Sequence, residues 1–191
     1  FITHNINFNR NSVNIITLLL SLIEIFFLLR KIRPDIFHLI SLKPVFLGGL
    51  ISFISPVRSV VISITGLGSM FLGDGIFFKL RLILLNFIYK IIFLFSNQKV
   101  ILQNNDDKKY LINYANLKPK KIKIIKGSGI ELGDFKFSKI PLKKTPIILM
   151  ASRLISDKGV NEYIGAIKYL KNKNFNAKFY LAGNIDVYNP S

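Results

Sequence analysis

Ile147-Ile148-Leu149-Met150-Ala151-Ser152-Arg153-Leu154-Ile155-Ser156-Asp157-Lys158-Gly159 is the stretch on which the reading of this chain turns. Its first four residues form a short apolar run behind Pro146, the pattern of a buried strand. Asn161 to Leu170, just beyond, reads as a helix. An Arg, a polar turn, a Lys and a Gly thus fall between the end of a strand and the start of a helix. In open α/β sheets ligands bind in the crevice outside the carboxyl ends of the strands. Two cations there, beside the unpaired N–H groups of a helix start, form a seat for a diphosphate. The same spacing also fits an ordinary strand-to-helix loop with solvated charges.

Outward from that stretch the chain alternates. Helical patterns cover Asn11 to Arg33, Val45 to Ile54, Ile76 to Phe95 and Asp106 to Ala115. Strands are predicted at Ile36 to Ile40, Ser59 to Ile64, Lys99 to Leu102, Ile122 to Ile125 and Ala177 to Ala182. Thr65 to Gly75 is a loop with four glycines. This order predicts doubly wound parallel sheets with right-handed crossovers. Pro141 to Pro146 reads as a linker. The expected organisation is therefore an N-terminal Rossmann-like domain over 1–140 and the start of a second over 141–191, the two facing a cleft. Phe1 and the closing Asn189-Pro190-Ser191 read as cuts through a longer protein.

Composition narrows the partners. The chain has 191 residues, enough for a real core, and its 27 Lys+Arg against 10 Asp+Glu give a net charge of +17. That excess admits nucleic acid, an anionic membrane surface or a phosphorylated ligand. No Cys is present, which excludes a disulfide framework and thiolate metal sites. Ile15 to Leu29 and Leu80 to Phe95 are apolar stretches, but polar and charged residues interrupt them and they fall short of the roughly 20 residues that span a bilayer. They read as helices covering a sheet, with a place on the membrane surface left open. Lys118-Pro119-Lys120-Lys121-Ile122-Lys123 is a basic run that fits phosphate-backbone binding, yet no nucleic-acid recognition pattern accompanies it, and a solvated loop entering a strand accounts for it.

Several short motifs carry a resemblance. Arg33-Pro34-Asp35-Ile36-Phe37-His38 is similar to the "kPDIvH" segment of family 4 glycosyltransferases, and Thr65-Gly66-Leu67-Gly68 to their "H/T-G-x-G" loop. Gln103-Asn104-Asn105-Asp106-Asp107 resembles the "QN-x-DD" of a bacterial surface-polysaccharide branch, and Lys126-Gly127-Ser128-Gly129-Ile130-Glu131, with Phe135, its "RGSGVD…F". Met150 to Gly159 matches "GRLxxxKG", and Gly183 to Pro190 resembles "GdpDxxNP". Their order from residue 33 to residue 190 identifies the chain as resembling that family.

The resemblance implies the GT-B fold, with both Rossmann-like domains incomplete: the first strand missing from the N-terminal acceptor-side domain, the C-terminal donor-side domain truncated. It implies a retaining transferase that moves a sugar from a nucleotide-sugar donor, expected to be UDP-linked, to a lipid-linked saccharide. It implies no cofactor and no metal, no nucleic-acid partner, and a cytoplasmic location peripheral to the inner face of the membrane. Arg153 and Lys158 then stabilise the charge on the leaving diphosphate, and Thr65, Gly66, Gly68, Asn104, Ser128, Gly129, Gly159 and Gly183 fall on cleft loops. Many family members have His where this chain has Thr65; a threonine cannot shuttle protons at neutral pH, so no catalytic residue is assigned. His38 lies in an apolar strand and reads as a packed core histidine, and Asp35 as a turn residue. A basic nucleic-acid binder and a non-catalytic, membrane-associated sugar-binding module are the alternative readings.

Overall fold

The computed structural model describes residues 2–6, 14–68, 71, 73–127, 129–139 and 145–185. Ser128, most of the expected linker at 141–146 and the 186–190 part of the last motif lie outside the described residues. Two compact units result, Phe1–Gly129 and Ile130–Ser191, so the division falls ahead of the expected linker.

The first unit runs α1 (Ile15–Ile32), β1 (Ile36–Ile40), α2 (Leu42–Ile51), β2 (Ser59–Ile64), α3 (Ile76–Leu94), β3 (Gln98–Leu102), α4 (Asn105–Ala115) and β4 (Ile122–Ile124). Its four strands form one parallel sheet in the order β1-β2-β3-β4. Each strand returns through a helix to pair with its immediate predecessor. Right-handed crossovers that always step the same way place α2, α3 and α4 on one face.

That face holds the core. Leu39, Val60, Ile62, Ile64, Val100 and Leu102 point into it and meet Val45, Ile51, Tyr89, Ile92, Leu111 and Ala115 from the helices. Each fully buried aliphatic side chain contributes about 1.5–3 kcal/mol. Gly48 and Gly49 let α2 press onto its neighbours: a Cβ at Gly48 would stand 2.3 Å from Leu39 Cδ2, and one at Gly49 2.8 Å from Ile92 Cγ2.

Local chemistry sets the boundaries. The Asn14 side chain accepts from Ile16 N (3.0 Å) at the start of α1, and Asn104 accepts from Asp107 N (2.7 Å) at the start of α4, both N-caps. Helix α2 begins earlier than the expected Val45. Pro44 is compatible with a first turn, whose N–H groups have no intrahelical partner, and Ser41, at φ 73° and ψ 166°, turns the chain sharply out of β1. Period-two alternation corrects the reading of His38 as a core residue. Phe37 and Leu39 face α2, so His38 is exposed on the opposite face of the sheet.

The second unit contains β5 (Ile147–Ala151), α5 (Val160–Asn172) and β6 (Lys178–Ala182), a single βαβ turn with parallel strands. The Tyr163 hydroxyl on α5 lies 3.0 Å from Ile148 O and 2.9 Å from Tyr180 O, tying the helix to both strands. Among its described residues only Ile155 is a buried hydrophobic side chain.

Candidate functional site

The turn after β5 is built as the strand-to-helix reading requires. Ser152 N donates to Ala182 O and Leu154 N to Asn184 O, both at 3.0 Å, so the ends of β5 and β6 hold each other. The chain then closes a 3-10 turn, Ser156–Lys158, and enters α5 through Gly159 at φ 79° and ψ 23°. Only the backbone angle demands glycine here, since a Cβ would meet nothing nearer than Glu162 Oε2 at 3.7 Å. Arg153 and Lys158 flank the turn, and both are exposed. The first helical bond is Tyr163 N to Gly159 O, leaving the amides of Val160, Asn161 and Glu162 without an intrahelical acceptor. Glu162 adds one carboxylate to that first turn. Two cations and a set of unpaired amides are the elements of a phosphate seat.

Gly183 belongs to the same construction in a way the motif alone did not reveal. It sits at φ 154°, and a Cβ there would lie 1.7 Å from Ser152 O. No side chain fits between the two strand ends, so this glycine is what permits the turn that carries Arg153.

The first unit gathers a second group of sequence-predicted residues at the carboxyl edge of its sheet. Thr65, Gly66 and Gly68 follow β2; Thr65 is exposed, and the glycines take φ 151° and 70°. Gly68 lies beside Leu42 in the first turn of α2, with a Cβ-to-Cδ1 separation of 3.3 Å for an added methyl. Asn104 is there too, but its side chain is engaged locally: its oxygen accepts from Asp107 N and its amide donates to Asp107 Oδ2 (3.0 Å). Gly129, at φ 70°, ends the unit.

Sequence reasoning missed one polar pair at this edge. His38 Nε2 lies 2.8 Å from Ser63 Oγ, and Ser41 N donates to Ser63 O (3.3 Å). Strand alternation was the signal that would have placed His38 and Ser63 on one open face.

The basic run at 118–123 resolves differently. Lys121 is buried, and its Nζ donates to Phe93 O (2.7 Å) and Phe95 O (2.5 Å), closing the carboxyl end of α3. Burial, with Lys118 and Lys120 nearby, lowers its pKa from the ordinary lysine value. One cation of the run is therefore a helix cap. Among the described residues no group of three or more His, Asp or Glu stands together in a metal-holding arrangement.

Parallel α/β units with polar turns at the carboxyl ends of their strands make this a Rossmann-like protein, and its likeness to a solved glycosyltransferase makes the fold GT-B-like. The crystal structure of a glycosyltransferase from Rickettsia africae ESF-5 has the same fold, with a TM-score of 0.57 and 20% identity, over 94% of this chain and 54% of that one. Residues 2–105 match the family profile described as glycosyl transferase 4-like, and the chain belongs to that family. A curated N,N'-diacetylbacillosaminyl-diphospho-undecaprenol alpha-1,3-N-acetylgalactosaminyltransferase of Campylobacter jejuni is 32% identical over 140 residues, which cover 67% of this chain and 36% of that relative. The chain thus spans about a third of the length of this curated relative and about half that of the solved structure.

Proposed function

We propose that this chain is part of a retaining glycosyltransferase that moves a sugar from a UDP-linked donor to a lipid-linked saccharide in cell-surface polysaccharide biosynthesis. Membership of the family supports sugar transfer, and the Campylobacter jejuni relative, named for a diphospho-undecaprenol-linked acceptor, supports the acceptor class. The observation that carries the reading is the turn Arg153–Gly159. When the donor's sugar bond breaks, negative charge collects on the leaving diphosphate. The Arg153 guanidinium offers a planar fork to its oxygens, Lys158 a mobile point charge, and the first amides of α5 a set of fixed dipoles. These groups act without a bound metal. The protein works at the inner face of the cell membrane, where an amphiphilic acceptor is presented. Among the described residues no helix is long and apolar enough to cross a membrane.

Calorimetric titration of UDP and of GDP into the intact protein without added metal, with Arg153→Ala and Lys158→Ala alongside, tests this. Micromolar binding of UDP over GDP is expected. Each substitution should weaken it about tenfold or more, or about 1.4 kcal/mol. A well-folded protein that binds neither nucleotide would overturn the reading, and GDP preference would overturn the choice of base.

A further inference from the structure

Helix α3 carries two apolar faces. One enters the core through Leu85, Tyr89, Ile92 and Phe93. The other, nearly opposite on the helix, holds Ile76, Phe77, Leu80, Ile83, Leu84, Phe87 and Leu94, whose exposures run from 56% to 84%. From Ile76 to Phe87 these positions recur at three- and four-residue spacing, and Leu94 lies two turns further along the same line, so they form one stripe rather than scattered apolar sites. Cations border it on both sides. Lys79 and Lys90 lie along one margin and Arg81 along the other, all exposed, with the Arg81 guanidinium 5.2 Å from the Phe78 ring centroid. The nineteen residues of α3 include no Asp or Glu.

We propose that this outward face of α3 docks the protein on an anionic lipid surface, the helix lying in the plane of the interface. An apolar stripe edged by Lys and Arg is the pattern of a helix that sinks its side chains to the headgroup–acyl boundary while its cations meet lipid phosphates. Charge decides between lipid and a second copy of this chain. Pairing two such faces would oppose Lys and Arg to Lys and Arg on chains of net charge +17, whereas an anionic bilayer complements them. The inference deepens the proposed function and rests on it in one respect: α3 begins directly after Gly75, so docking holds that glycine and Gly73 near the interface at which a lipid-linked acceptor presents its polar head.

The chain contains no Trp, so a single introduced indole reports its own position. Phe77→Trp and Phe87→Trp are compared with Tyr114→Trp, at an exposed site on α4, in the full chain with phosphatidylglycerol-containing or pure phosphatidylcholine vesicles. The emission of the two α3 variants should shift to the blue and be quenched by brominated lipid on the anionic vesicles, while that of the α4 variant should not. Reversing Lys79→Glu and Lys90→Glu together should lower partitioning tenfold or more, and added salt should weaken it. Absence of vesicle binding, or equal quenching at all three positions, would overturn the proposal. A blue shift that grows with protein concentration without vesicles would assign the face to a second copy instead. Neither readout uses nucleotide, so the docking face and the donor site fail or stand separately.

Discussion

Tyr89 is the largest side chain that the first unit encloses completely, and its hydroxyl has no hydrogen-bond partner among the described residues. It lies among Phe46, Phe71 and Phe93, whose ring centroids are 4.9, 6.3 and 5.3 Å away. A buried hydroxyl without a partner costs about 1–3 kcal/mol. Tyr89→Phe is therefore expected to leave stability unchanged or to raise it by about that amount in denaturant unfolding. Burial, with Asp107 and Tyr110 nearby, pushes the phenol pKa well above its ordinary value of 10.0. The unfolded chain then loses this proton above about pH 10 while the folded chain keeps it, so stability falls by about 1.4 kcal/mol per further pH unit. Tyr89→Phe should remove that share of the alkaline loss. Neither property was legible in the sequence, where Tyr89 is one aromatic in an apolar run; an unpaired hydroxyl is defined only by what surrounds it.

At the scale of elements, two glycines of the second unit make opposite predictions. Gly183 takes a positive φ against Ser152 O, so Gly183→Ala must separate the ends of β5 and β6. Hydrogen exchange should show lost protection at the Ser152 and Leu154 amides, with β1–β4 unaffected. The Arg153 turn hangs from this junction, so nucleotide affinity should fall with it. Gly165 sits inside α5, with nothing within 4 Å of an added Cβ. Gly165→Ala should stabilise the helix by about 0.5–1 kcal/mol through its backbone propensity, read as a higher unfolding midpoint. The motif marks Gly183 as important without saying why. The reason is a contact between residues about thirty positions apart, which local spacing does not encode.

At the scale of the whole molecule, burial is unequal. Apart from Ile155, every hydrophobic side chain buried among the described residues belongs to Phe1–Gly129. Local stability follows buried apolar contact, so native-state exchange should be slowest in Val60–Ile64 and Val100–Leu102. It should be orders of magnitude faster in Ile147–Ala151 and Val160–Asn172. Comparable protection in both units would show that the second is held by contacts other than its own core.

The alternation of strands and helices, the parallel sheet, the glycine loop and the cationic turn were all legible in the sequence, because each rests on local periodicity or on residues adjacent along the chain. The caps Asn14 and Asn104 are just as local, yet the sequence reading set the first inside a helix and the second on a cleft loop. Which face of the sheet His38 occupies, which lysine of the basic run caps α3, why residue 183 must be glycine and which face of α3 stays exposed were decided only in the tertiary structure. Each depends on what a distant segment brings within a few ångströms, and no pattern along one stretch of chain contains that distance.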